Sequence, residues 1–105
     1  MVNDILFEVP TPLSFRVRVT HRYWEVIITI KHPVMYGREG DVQSVLQNPD
    51  EIRRSRSDPA VLLFYRAESP RGWLCAVVRR LNTDGFLITT YPTDAIKVGE
   101  HLWSK

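Results

Sequence analysis

The chain has 105 residues, 44% of them hydrophobic and 25% charged, with a formal net charge of +2. That length fits one domain, 1–105, which can bury roughly 65% of its unfolded surface and so needs neither disulfide nor metal to fold. The lone cysteine excludes an internal disulfide framework, and so small a net charge does not by itself mark a nucleic-acid binder.

The opening Met1-Val2-Asn3-Asp4 is acidic and lacks the basic, apolar layout of a signal peptide. No apolar stretch approaches the roughly 18 residues of a membrane span. A cytoplasmic protein without a membrane partner is therefore expected. Of the 14 basic residues, 11 are arginine and only Lys31, Lys97 and Lys105 are lysine. The planar guanidinium suits phosphate recognition, although genomic composition bias produces the same skew.

In chain order, residues 5–8 and 14–19 each read as extended, with Pro10 and Pro12 between them. Ser14-Phe15-Arg16-Val17-Arg18-Val19 alternates apolar and polar as a half-buried strand does. Residues 1–19 thus form an extended N-terminal segment, ahead of a core over 20–104. Thr20 is an N-cap for a helix from His21 to Lys31, with Tyr23, Trp24, Ile27, Ile28 and Ile30 at spacings of three and four. The β-branched run Val26–Ile30 leaves a strand as the alternative. Strict alternation is missing, which favours the helix. Pro33 ends it at or before His32.

Gly37–Gly40 is a loop, and Asp41 caps a second helix over 42–46 that turns Val42, Val45 and Leu46 to the core. After Asn48-Pro49-Asp50 the pattern becomes extended. Residues 51–55, 61–66, 72–81 and 85–91 read as four strands, punctuated by Asp58-Pro59, Ser69-Pro70 and Asn82-Thr83-Asp84-Gly85. The last three form an antiparallel meander. The predicted class is α+β, two N-terminal helices packed on a four-stranded antiparallel meander sheet.

Chemistry concentrates in few places. His21 and His32 are 11 residues apart, just over three helical turns and roughly 16 Å, so they cannot share one centre on a continuous helix. His32 is the better candidate, at a helix C-terminus that favours a cationic side chain. Its plainer role is to cap the helix carbonyls before Pro33. Arg53-Arg54-Ser55-Arg56-Ser57 is the densest basic run, either a solvated, aggregation-resistant edge or a phosphate contact. A four-residue turn at 82–85 pairs Arg79 with Ile88 and Val77 with Thr90. Arg79 and Thr90 then share one face, and Arg80, Thr89 and Tyr91 the other. An arginine among apolar strand residues calls for a partner, structural carboxylate or anionic ligand. Tyr65 and Arg66 are adjacent on a strand, so only one of them joins a given site. Cys75 lies in an apolar run and reads as a buried, inert thiol. No metal-ligand spacing and no glycine-rich phosphate loop occurs, so no metal or cofactor is expected.

The order of His32-Pro33, Asn48-Pro49-Asp50-Glu51-Ile52-Arg53, Ser57-Asp58-Pro59, Phe64-Tyr65-Arg66, Arg79 and Gly85-Phe86-Leu87-Ile88-Thr89-Thr90-Tyr91-Pro92-Thr93 resembles small phage and bacterial nuclease domains. These are the domains grouped with barnase, EndoU, colicin and RelE (the BECR fold). The resemblance covers residues 20–104. It implies a toxin-like or RNA-processing ribonuclease that cleaves RNA without a metal, by attack of a 2′-OH on the adjacent phosphate. It also implies RNA as partner and an antitoxin or other protein as a second one. His32 would match the helix-end acid or base, Arg79 the phosphate-stabilising strand residue, and Thr90 and Tyr91 the polar pair on the closing strand. Arg54 and Ser55 would add phosphate contacts, and Tyr65 or Arg66 a substrate contact. No second histidine or glutamate lies within reach of His32, which leaves a non-catalytic RNA- or protein-binding module as the alternative.

Overall fold

A computed structural model describes residues 4–105. The N-terminal segment is built into the sheet. Ile5–Pro10 (β1) and Arg16–Thr20 (β2) pair antiparallel, with Phe7 opposite Val19 and Val9 opposite Val17, all four buried. Met1–Asn3, part of the expected 1–19 segment, lie outside the described residues.

The Thr20 hydroxyl accepts the Tyr23 amide at 3.0 Å and starts helix α1, His21–Val26. The β-branched run that follows does not continue as an α-helix. Crowding of Ile27, Ile28, Thr29 and Ile30 between successive turns disfavours the tighter ladder. Ile27–Lys31 instead form a π-helical turn, closed by the His32 amide on the Ile27 carbonyl at 2.7 Å. Pro33 bars His32 from helical geometry, and His32 sits at φ −144°, ψ 80° before a single 3-10 turn, Pro33–Met35. The second helix, α2, spans Glu39–Gln47 and buries Val42, Val45 and Leu46. Asp41, expected as its cap, lies within its first turn and pairs with Arg38 at 2.8 Å.

The remaining strands are β3 (Glu51–Arg54), β4 (Val61–Ala67), β5 (Trp73–Arg80), β6 (Asp84–Thr93) and β7 (Glu100–Ser104). Their order in the sheet is β1-β2-β6-β5-β4-β3-β7. Among the described residues every pairing is antiparallel except β2 with β6, which is parallel at Arg16, Val17 and Arg18 against Asp84, Gly85 and Phe86. The expected two helices on a four-stranded antiparallel meander are thereby corrected to a seven-stranded mixed sheet with two short helices. Two causes separate expectation and outcome. The alternation of β2 reveals a strand but not its partner, and a parallel neighbour 68 residues away (Arg16 to Asp84) leaves no local mark. Strand β7 is a short, partly polar edge strand whose entry beside β3 passes close over the Arg54 backbone at Gly99. A Cβ there would stand 2.4 Å from the Arg54 carbonyl.

The two faces of this sheet differ. On one, α1 and α2 cover Val17, Val19, Ile52, Leu62, Phe64, Leu74, Ala76, Val78 and Leu87 in the main core. On the other, Leu63, Tyr65 and Cys75 form a small second cluster with Trp73, Val77, Tyr91 and Ile96, to which no helical residue contributes. The segment from β6 to β7 returns across this second face. Its Ile96 packs on the cluster, and the Lys97 amide donates to the Tyr65 hydroxyl at 3.1 Å. Among the described residues no helix is long and apolar enough to cross a membrane.

Candidate functional site

The returning segment covers only part of the helix-free face and leaves a groove of about 420 Å³ beside it. That volume lies within the range of small-ligand sites. Period-two alternation makes the floor: Leu63 on β4 lies opposite Val77 on β5, which lies opposite Thr89 on β6, with Val61 and Tyr91 extending it. One wall is Ser55-Arg56-Ser57, between β3 and β4, and the other is Lys97-Val98. Among the described residues the charged lining is therefore Arg56 and Lys97, without a carboxylate. Among the described residues neither cation forms an ion pair, a state shared with Arg16, Arg22, Lys31, Arg66, Arg71 and Arg80, whereas Arg18, Arg38, Arg53, Arg54, Arg79 and Lys105 are paired.

Thr89 enters this groove because β6 carries a bulge. Val77 pairs with Thr89 but Val78 pairs with Leu87, so Ile88 is an extra residue, and a bulge turns the side chains beyond it to the opposite faces. Helix α1 grips the bulge. The Tyr23 hydroxyl donates to the Ile88 carbonyl at 2.7 Å, and the Lys31 ammonium donates to the Tyr23 oxygen at 3.1 Å. Strand β2 pairs with β6 only as far as Phe86, so the β6 edge beyond it is free to receive the helix exit. The π-helical turn thereby delivers His32 against Tyr91, with ring centroids 5.0 Å apart and planes tilted by 42°.

Burial sets the acid–base character of the aromatic wall. It pushes the Tyr91 phenol well above its ordinary value, with the neighbouring Cys75 and Tyr65 adding to the rise. Tyr65 is pushed up to about 12 and Cys75 to about 11, again chiefly by burial. The Tyr91 hydroxyl is directed at the buried Cys75 thiol. Thr89 is the anomaly of the floor. Its Oγ1 is buried without a hydrogen-bond partner, an arrangement that costs about 1–3 kcal/mol. Its neighbour Thr90 is fully buried too, yet its hydroxyl donates to the Cys75 carbonyl at 2.8 Å.

Of the residues predicted from sequence, His32 and Tyr91 come together, and Ser55 lies on the groove rim. Arg79 and Thr90 do not share a face. The turn is tighter than expected, with Arg80 opposite Gly85, and the bulge shifts the rest, so Arg79 pairs with Phe86 and Thr90 with Ala76. Arg79 joins Thr89 and Tyr91 on the helix-free face, while Arg80 lies on the other, 4.5 Å from the Phe15 ring centre. The partner that Arg79 requires is Asp58, at 2.6 Å. The Ala60 amide and then Arg79 hold the Asp58 carboxyl below its usual range. Tyr65 lies beneath the returning segment, buried. Arg54 and Arg66 have the parity of the core residues Ile52 and Phe64. Arg54 donates to Glu100 and to the Pro59 carbonyl, each at 3.0 Å, and Arg66 to the Asn48 carbonyl at 2.8 Å. Sequence reasoning missed Lys97 and Val98, since nothing local shows that residues 97–98 fold back over the sheet. It placed Thr89 with Arg80 for want of the bulge.

No protein-family model, curated protein or solved structure matches this chain.

Proposed function

We propose that the groove binds single-stranded RNA and that the chain cleaves it without a metal, in the manner of the BECR-type nucleases its motif order resembles. The observation that carries the reading is the His32 imidazole against Tyr91, beside a groove whose charged residues are Arg56 and Lys97. The reaction needs a proton acceptor for the 2′-OH and positive charge on the pentavalent phosphorus intermediate. His32 takes the 2′-OH proton as the 2′-oxygen bonds to phosphorus. The 5′-oxygen leaves and draws its proton from solvent, giving a 2′,3′-cyclic phosphate and a 5′-hydroxyl. Arg56 and Lys97 offset the charge on the phosphoryl oxygens, and the Tyr91 ring positions the His32 imidazole.

A second reading, a non-catalytic RNA- or protein-binding module, draws on the Arg79–Asp58 pair and the buried Thr90, which remove two expected catalytic groups. Incubation with end-labelled single-stranded RNA in EDTA separates the two. The proposal expects fragments ending in 2′,3′-cyclic phosphate that vanish in His32→Ala, while RNA binding persists and weakens with salt. Binding without fragments moves the chain to the second reading. Neither binding nor cleavage removes RNA from the account.

A further inference from the structure

We infer that the groove accepts the base of one unpaired nucleotide and that Thr89 reads its edge, an inference that rests on the RNA-binding reading above. The floor is Leu63 and Val77, and the Tyr91 ring stands at its side. Apolar side chains and an aromatic ring suit the flat π-face of a base, and stacking on an aromatic residue is the common device of single-strand binders. Arg56 and Lys97 line the same groove and supply the positive charge a phosphate needs. A double helix keeps its bases stacked inside, so only an unpaired nucleotide can present base and phosphate together.

Thr89 supplies the polar element. Valine would fill the same pleat position opposite Val77 and leave no orphan hydroxyl. In the free chain Oγ1 is shut away while the residue as a whole still lines the groove. One staggered step about the Cα–Cβ bond moves the hydroxyl to another position on the same side chain. A bound base gives it the partner it lacks, and a hydroxyl both donates and accepts. Stacking holds any base, so discrimination needs a polar group on the floor where the base edge rests, and Thr89 is that group; Ser55 and Ser57 lie on the wall.

The test uses fluorescein-labelled 2′-O-methyl RNA hexamers, which cannot be cleaved, followed by fluorescence anisotropy. Homopolymers of the four bases should differ in affinity, and a hexamer of abasic nucleotides should bind weakest. Thr89→Val should weaken the preferred homopolymer roughly five- to tenfold, the scale of one hydrogen bond, and level the four affinities. It should leave the abasic hexamer and the salt dependence unchanged. Salt-sensitive binding that is equal for all five hexamers, or a preference that survives Thr89→Val, overturns the inference and leaves RNA binding standing. Failure of every hexamer to bind overturns both.

Discussion

The two faces of this sheet treat the same residue types in opposite ways. Under the helices, Thr90 is fully buried and its hydroxyl satisfied, among the apolar side chains of the main core. One residue away, on the uncovered face, Thr89 keeps a buried hydroxyl unpaired beside a groove lined by two cations without ion pairs. The helical face has an orphan of its own, the buried Trp24 Nε1, but it lies in the main core, away from the charged groove. The other face carries the unpaired Thr89 hydroxyl beside Arg56 and Lys97, which is the contrast on which the proposed RNA site rests.

Core truncation gives the largest expected contrast. Phe64→Ala, on the helical face, should cost about 3–5 kcal/mol in urea unfolding, whereas Leu63→Ala, beside the open groove, should fall near the low end for leucine, about 2 kcal/mol. Equal losses would mean that the two clusters pack alike. His32→Ala should lower RNA cleavage by about a hundredfold or more, yet shift stability by no more than about 0.5 kcal/mol. A large loss of stability would make His32 a structural cap.

The threonines differ in sign. Thr90→Val should destabilise by about 1 kcal/mol and Thr89→Val should stabilise by up to about 1 kcal/mol. A common sign would erase the contrast between the faces. The smallest effect lies away from both. The Ala67 amide, at 2.7 Å, and then Lys105 hold the Asp50 carboxyl below its ordinary value of 3.8. A depressed carboxyl stabilises the fold above its unfolded value, and that contribution is lost as pH falls through the folded one. Acid unfolding of Asp50→Asn should therefore be less steep below pH 3.8 than that of the parent chain.

What could be read in the sequence was local. The Thr20 cap, the helix end at Pro33 and strands near 61–66 and 72–81 follow from side-chain period and backbone sterics, and the structure has them. What could not be read was long-range or depended on one residue. The parallel docking of β2 and the return of β7 are tertiary choices. A single bulge at Ile88 was enough to exchange Thr90 for Thr89 on the groove face and to place Arg79 beside Tyr91 instead of Arg80. Side-chain alternation carries no sign of an inserted residue until the partner strand is known.

Amide chemical shifts, followed as an uncleavable single-stranded RNA hexamer is added to the isotopically labelled chain, test the central claim most directly. The account predicts that perturbations cluster at Arg56, Ser57, Thr89, Tyr91, Lys97 and Val98 and spare Val42, Val45 and Leu46 in α2. Perturbations centred on the helical face, or none at saturating RNA, would contradict it.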